Sequence, residues 1–328
     1  MNSYGIWIAT EINEHYDCDN SKESFIKVAM ARQIASKRPK ILWDLNPCSP
    51  NHRIYRDYID KYQRDGLLGG YNYEHFTIAD NLSISEERKQ EIISQYGIGT
   101  VWYKRDILGM RCVAEGNIYE DFANNTDKYL LTKEQLQTKN IAQINIGIDF
   151  GGNKSANTFC AVGFTPNLQE VIVLEAENHA GKTTPAMLEE KLALFLEKVY
   201  NKYGKGGNIY CDSAEQTLIG GIRSMIYKRG LKFSVNNSIK NAINERIRMV
   251  LSLMSQGRFF VCEWCEPTIK ALSEAVYNNK EGHEDERLDD FSYSVDDLDA
   301  LEYGLEPHLH ALKWNVNNGG KEWIQFKV

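Results

Sequence analysis

Acidic residues stand at three places in the C-terminal half of the sequence where they could bind divalent metal ions. Asp149 follows an apolar segment that ends at Ile148, and Asp212 follows another that ends at Cys211. Both segments have the composition of buried strands. A carboxylate in a buried strand is costly to desolvate unless a cation binds it. The two positions therefore indicate cation ligands.

A third place lies near the C-terminus, where Asp296 and Asp299 are three residues apart. The periodicity around them is helical, so both carboxylates share one helix face while Leu298 faces the core. Ser294 and Asp297 form a plausible capping pair, which predicts a structural role for Asp297.

Carboxylates from separate elements can hold two Mg²⁺ or Mn²⁺ ions, which activate water and stabilise a leaving oxygen. Octahedral oxygen ligation favours these ions over zinc. Two other interpretations stay open. Asp212 alone could cap a helix, and the acidic run 284–299 could be a solvated face that suits a helix N-terminus. The metal prediction depends on Asp149, Asp212 and Asp299 acting together.

The elements around these acids predict a second domain over residues 141–328. Three consecutive strands are expected, and the glycines after Phe150 suit an antiparallel hairpin between the first two. A helix begins at Thr184 and Pro185 and ends at Gly204. The predicted strands are 143–150, 158–164, 169–177, 208–211, 232–235 and 258–262, and the later helices are 215–229, 240–255, 266–277 and one after Ser294. This order is that of a ribonuclease H-like core, with a mixed sheet flanked by helices.

The first 122 residues predict an α/β domain, and the polar segment 123–140 predicts a linker after it. Strands are expected at 5–10, 40–45 and 73–78, and helices at 21–36, 51–64 and from Ser83 or Ser85. A buried strand so near the first methionine predicts that upstream sequence is missing.

Three motifs resemble the nuclease domain of the large terminase subunit of tailed bacteriophages: residues 147–152, 211–215 and 299–303. The resemblance implies an endonuclease that cuts double-stranded DNA concatemers with metals bound by Asp149, Asp212 and Asp299. Asp296 stands where the family often has a histidine or an acid, so it is expected to hold the second ion or to act as a base. The implied partners are DNA, the small terminase subunit and the portal protein of the procapsid, in the cytoplasm of the infected host.

Residues 1–122 are similar to the C-terminal part of the terminase ATPase domain, whose fold is of the P-loop type. Glu11 stands in the place of the glutamate that activates water, and Asn46 lies in a motif similar to the coupling motif. Thr10 replaces the aspartate that usually binds Mg²⁺. No phosphate loop of the form GxxxxGKS/T precedes this strand, so ATP binding is expected only if a missing N-terminal part is supplied. The Gly-Lys-Thr at 181–183 lacks the first glycine of such a loop.

The composition is acidic, with a formal net charge of -7 and 45 acidic against 38 basic residues. This balance argues against a protein that coats nucleic acid through bulk charge. Local contacts with the DNA backbone are expected from Lys154, Lys240, Arg246 and Arg248. Ordinary surface charge is the alternative for each of them. No apolar run reaches the roughly 18 residues that a membrane helix needs.

Two further functions stay open at this point. Asp149 and the residues after it resemble the phosphate hairpin of actin-like and sugar-kinase-like ATPases, but the sequence contains no second hairpin of this kind. The chain could also be a non-catalytic fragment that docks on a portal. Its seven cysteines indicate reduced thiols, and the lone CxxC at Cys262 and Cys265 lacks the two further ligands of a zinc site.

Overall fold

The computed structural model describes residues 5–12, 25–50, 52–65, 72–151, 156–181, 183–278, 280, 285–289 and 295–314. They form two compact units. The first takes its residues from Met1–Ile93, Ile98–Glu115 and Asn278–Asp285, and the second from Ser94–Gly97, Gly116–Tyr277 and Glu286–Val328. Both units combine helices and strands, which confirms the predicted α/β class.

The first unit contains a two-stranded parallel sheet in which Ile6 pairs with Lys40 and Ala9 with Trp43. Its elements are β1 (Ile6–Ala9), α1 (Phe25–Ala31), β2 (Lys40–Trp43), a π-helical turn (Tyr55–Ile59), α2 (Asp60–Asp65), a 3-10 turn (Ile78–Asp80), α3 (Glu86–Ile93) and a second π-helical turn (Tyr103–Ile107).

The two faces of this small sheet differ in burial. Trp7 and Ala9 pack against a core that includes Ile12 and Tyr55. Ile8, on the opposite face, is 68% exposed. Successive side chains of a strand point to opposite faces, so an apolar run is buried on both faces only if both are covered. The strand predicted at 5–10 is present, but only one of its faces is covered, and that face is partly buried.

The strand predicted at 73–78 is absent, because residues 72–77 have no regular structure and a 3-10 turn follows. Asp80 accepts hydrogen bonds from both the backbone N–H and the hydroxyl of Thr77, each at 2.8 Å. Such local side-chain bonds compete with the ladder of a sheet. The aromatic and β-branched residues of this segment are therefore a misleading strand signal.

The second unit is built on a seven-stranded sheet. Its α-helices and strands, in chain order, are α4 (Glu120–Asn124), β3 (Leu130–Leu131), α5 (Lys133–Gln137), β4 (Gln143–Asp149), β5 (Asn157–Phe164), β6 (Val171–His179), α6 (Pro185–Tyr203), β7 (Gly207–Cys211), α7 (Gln216–Arg229), β8 (Phe233–Asn237), α8 (Ile243–Ser255), β9 (Phe259–Cys262), α9 (Glu266–Glu274), α10 (Val295–Leu305) and α11 (Leu309–Trp314).

The strand order across this sheet is β3-β9-β6-β5-β4-β7-β8. β4, β5 and β6 are antiparallel neighbours, whereas β7 and β8 continue the sheet parallel to β4. This is the ribonuclease H-like order that the sequence predicts. The capping signals of α6 also hold, since Thr184 Oγ1 accepts from the Met187 N–H at 3.3 Å and Gly204 ends the helix with φ of 66°.

Residues 123–140, predicted as a linker, contain parts of the second unit. β3 pairs with β9, and the capping box of α5 joins Thr132 to Gln135. Tyr129, Leu131 and Leu136 are buried. Their apolar side chains are spread over elements of two to five residues, which are too short to show a period. No helix in the described ranges is long and apolar enough to span a bilayer.

Candidate metal centre

Asp149 and Asp212 lie at the carboxyl-terminal ends of two neighbouring strands of the sheet. Asp149 is the last residue of β4, and Asp212 directly follows β7. The two strands are parallel neighbours, and the Asp212 N–H donates to the Ile148 carbonyl at 3.1 Å. The carboxyl ends of parallel strands are a common place for ligands, because side chains from several strands converge there.

The Asp149 carboxylate, at the end of β4, is buried. It is 8% exposed, and no residue in the described part of the chain donates a hydrogen bond to its side chain. Burial raises its pKa to about 8, and the negative charges of Asp299, Asp296 and Asp212 add to the rise. An ionised carboxylate in this position is stable only with a nearby cation.

Helix α10 brings Asp296 and Asp299 to the same strand because β4 contains a glycine where the helix crosses it. A Cβ atom at Gly147 would stand 1.7 Å from the Ala300 carbonyl oxygen. The glycine between two apolar residues of β4 is therefore required for the close approach of α10.

Asp296 is oriented by the hairpin that starts at β4. Its Oδ2 accepts from the Ala156 N–H at 2.7 Å, and its backbone carbonyl accepts from the Thr158 hydroxyl at 2.7 Å. Thr158 lies opposite Asp149 in the ladder between β4 and β5. Burial raises the pKa of Asp296. The adjacent Asp297 instead accepts from the Asn178 amide at 2.9 Å, and its predicted partner Ser294 lies outside the described residues.

Two arginines hold Asp299. Arg246 and Arg287 each place a guanidinium nitrogen 2.7 Å from Asp299 Oδ1. Both also contact Glu302, at 2.8 Å each. Arg287 and Glu302 are buried, so their charges are stable only as a group. No local sequence pattern identifies Arg287 or Glu302 as a site residue, although Glu302 lies inside the 299–303 motif.

Lys240 and Glu306 complete the site. The Lys240 ammonium lies 2.5 Å from Asp212 Oδ1. Glu306, which is 2% exposed, accepts from the backbone N–H groups of Lys240 and Asn241 at 3.0 and 2.9 Å. Lys240 precedes α8 by three residues with φ of 56°, so it does not open the helix as predicted. Glu306 has no signal in the local sequence that would have identified it.

Solved structures with the same fold are large terminases. The chain is similar to the structure of the large terminase from a thermophilic bacteriophage, with 22% sequence identity and a TM-score of 0.73, over 94% of this chain and 70% of that one. The same phage protein in complex with ADP matches at 23% identity and a TM-score of 0.71, over 92% and 69% of the two chains. No protein-family model matches the chain, and no curated protein does.

The chain has the fold of a phage large terminase. The match extends over both units, because it leaves only a small part of the chain uncovered. The resemblance predicted from the nuclease and ATPase motifs is therefore confirmed at the level of the fold.

Three of the four acids in this terminase fold contact donors of the protein, and these donors differ from one acid to the next. In the described ranges, no three Asp, Glu, His or Cys side chains are grouped as they would be around an ion. Asp212 faces Lys240, and Asp299 faces Arg246. The residues still fit a hard divalent cation, because Asp149 offers buried carboxylate oxygens to which no described residue donates a hydrogen bond. An ion bound by these acids would have to replace the cationic side chains that now neutralise Asp212 and Asp299.

The other predicted site residues are spread over both units. Lys154 lies outside the described residues, and Arg248 is half-buried on α8. Glu11 and Asn46, in the first unit, are exposed. The Gly-Lys-Thr segment has Gly181 with φ of 92° just before the cap of α6, and its lysine is outside the described residues.

Cys262 and Cys265 are buried thiols in the second unit. Burial raises the pKa of Cys262 to about 12 and also raises that of Cys265. The Cys265 thiol donates to the Val173 carbonyl at 3.7 Å.

Proposed function

We propose that this chain is the nuclease-bearing part of a phage DNA-packaging terminase large subunit and cuts double-stranded DNA with two Mg²⁺ or Mn²⁺ ions. The observation that carries the proposal is the buried Asp149 carboxylate, to which no described residue donates a hydrogen bond and whose pKa is raised further by the charges of three other acids. Placed on the fold of a large terminase, this arrangement favours metal binding over a structural role.

The proposed ligands are Asp149, Asp212, Asp299 and Asp296. Bound ions would supply an activated water and would stabilise the leaving oxygen of the cut phosphodiester. The chain's own contribution is to fix the acids. Strands β4 and β7 set Asp149 and Asp212 side by side, and the buried arginine Arg287 holds the carboxylate of Asp299. Fixed outer partners of this kind orient ligands and limit their motion.

Double-stranded DNA is the proposed substrate, and the small terminase subunit and the portal protein are the proposed partners in the host cytoplasm. Lys154, Lys240, Arg246 and Arg248 remain candidates for contacts with DNA phosphates. Arg246 already contacts three carboxylates, at 2.7, 2.8 and 3.6 Å. We therefore assign its main role to the support of Asp299.

We propose that the chain takes part in ATP hydrolysis only if a missing N-terminal part supplies the phosphate loop. The large terminase of the thermophilic phage, which matches over 92% of this chain, has been solved in complex with ADP. In this chain Glu11 and Asn46 would face such a nucleotide, but the sequence has no GxxxxGKS/T segment. The chain alone is expected to cut DNA and not to hydrolyse ATP.

Replacement of Asp149 tests the nuclease proposal. Asp149→Asn keeps the shape of the side chain and removes its charge, so Mn²⁺-dependent nicking of plasmid DNA is expected to fall at least about a hundredfold. Asp127→Asn, at an exposed position of the same unit, is the matched control and should cut normally.

Three outcomes would contradict this assignment. Undiminished nicking by Asp149→Asn would remove Asp149 from the site. Tight ATP binding by the full chain without DNA cleavage would favour the actin-like or sugar-kinase-like alternative. Calorimetry that detects no Mn²⁺ binding to the wild-type chain would favour a non-catalytic fragment that docks on a portal.

A further inference from the structure

The cation nearest to the proposed ligand Asp212 is a side chain of the protein itself. The Lys240 ammonium lies 2.5 Å from Asp212 Oδ1. The same oxygen accepts from the Ala214 N–H at 2.8 Å. These two donors already engage Asp212 Oδ1. An ion that binds there needs a lone pair that the ammonium now uses.

The backbone at Lys240 is held in a conformation that a lysine does not adopt freely. Its φ of 56° lies in the left-handed region, which is unfavourable for a residue with a Cβ atom. Such strain persists only where the surroundings fix it. Here the buried Glu306 carboxylate accepts from the N–H groups of Lys240 and Asn241, and Arg246 lies 3.6 Å from the same carboxylate.

The side chain of Lys240 is less constrained than its backbone. It is 41% exposed, and four methylene groups separate the ammonium from the fixed main chain. The ammonium can therefore leave Asp212 without breaking the bonds to Glu306. Lys240 thus combines a fixed backbone with a mobile ammonium group. In an ordinary surface ion pair, by contrast, both side chains are flexible and move independently.

We propose that the Lys240 ammonium is a built-in competitor of the divalent ion at Asp212. It neutralises the carboxylate in the metal-free protein and is displaced when an ion binds. This inference rests on the proposed metal-dependent function. Lys240 then sets the ion concentration at which the site fills, because each binding event must separate an ion pair.

Calorimetric titration with Mn²⁺ measures this competition without DNA or catalysis. Lys240→Met removes the ammonium and keeps a long side chain, so the variant is expected to bind Mn²⁺ about fivefold more tightly than wild type, the scale of a partly exposed ion pair. Lys240→Arg keeps a cation and should stay near wild type. Lys205→Met, at an exposed position of the same unit, is the matched control and should not change the affinity.

Displacement of the side chain is measured by NMR of the lysine ammonium and ε-carbon signals during titration with Mg²⁺, which is diamagnetic. The Lys240 signal, assigned by its absence in Lys240→Met, should shift as the site fills. Metal-free Asp212→Ala provides the reference for a released ammonium, and the wild-type signal should move toward it.

The results separate this inference from the proposed function. Mn²⁺ binding with equal affinity in wild type and Lys240→Met would overturn the competition, as would a Lys240 signal that stays in place at Mg²⁺ saturation. Both results leave the nuclease proposal intact. A wild-type chain that binds neither ion would overturn both proposals together.

Discussion

One candidate site residue in each unit has the same unusual backbone conformation. Glu11 in the first unit has φ of 50°, and Lys240 in the second has φ of 56°. In both, the backbone N–H donates to a carboxylate from elsewhere in the unit. Glu11 donates to Asp44 Oδ1 at 2.7 Å, and Lys240 donates to Glu306 Oε2 at 3.0 Å. In both residues the left-handed backbone conformation is unfavourable, and hydrogen bonds to neighbouring carboxylates stabilise it.

The carboxylates that accept from Glu11 and Lys240 differ in burial. Asp44 is exposed, and its bond to Glu11 competes with water. Glu306 is buried, accepts two backbone N–H groups and lies beside Arg246. A buried group that loses its partners is left desolvated, whereas an exposed one is rehydrated. Lys240 in the proposed nuclease site is therefore fixed by buried, charged contacts, whereas Glu11 is held by a surface contact.

The largest expected effect comes from Gly147→Ala, which acts on the packing of the second unit. A Cβ atom at this position meets the Ala300 carbonyl oxygen at 1.7 Å, so α10 must move away from β4. We expect a loss of at least about 3 kcal/mol in the free energy of unfolding, measured by urea titration with circular dichroism.

The matched control is Gly220→Ala in α7, where the added Cβ has no neighbour within 4 Å. Alanine is the better helix former, so this variant should gain roughly 0.5–1 kcal/mol. Equal effects of the two substitutions would show that the crossing of α10 over β4 does not depend on Gly147.

The next effect is that of Glu306→Gln, which breaks the buried support of Lys240. Glutamine keeps one acceptor oxygen but places an N–H₂ group against a backbone N–H, and it leaves Arg246 with less negative charge. We expect a loss of about 3 kcal/mol in unfolding free energy, measured by urea titration. Glu263→Gln, at an exposed position of the same unit, should change stability little. A loss as small as that of the control would mean that Glu306 is not a fixed support.

Some residues of the proposed site can be predicted from the sequence, and others cannot. The strand order follows from local patterns, and so do the four aspartates, because two of them come at the end of apolar strands and two share one face of a helix. Glu306 and Arg287 are distant from their partners along the chain, and both resemble surface charges. Only the folded backbone shows that they are buried. The sequence predicts that Lys240 opens a helix, since it follows the polar residues 236–238, but a lysine gives no sequence signal for the left-handed conformation observed there.

A third prediction concerns the pH dependence of the metal-free protein. The pKa of Asp149 is about 8 when folded, far above that of an unfolded aspartate. Between about pH 4 and pH 8 the unfolded chain therefore releases a proton that the folded chain retains, and the group lowers stability progressively as pH rises. Above the folded pKa this cost stays constant. The variant Asp149→Asn lacks this cost and should be more stable than wild type near pH 8, by a margin that grows as pH rises from about 4.

Thermal unfolding with chelator across this pH range measures the difference, which should vanish near pH 4. Mn²⁺ should then raise the melting temperature of wild type more than that of Asp149→Asn, because ligands stabilise the state that binds them. A stability difference that does not vary with pH would argue that Asp149 is ionised in the metal-free protein.

The smallest effect is expected from the contact that holds Glu11. Asp44→Ala removes the acceptor of the Glu11 N–H, but water can replace it at this exposed position. We expect a loss below about 1 kcal/mol in urea titration, and Asp44→Asn, which keeps an acceptor oxygen, should recover most of it. A loss as large as that of Glu306→Gln would contradict the distinction between the two units, because it would place the Glu11 backbone under the same firm support as that of Lys240.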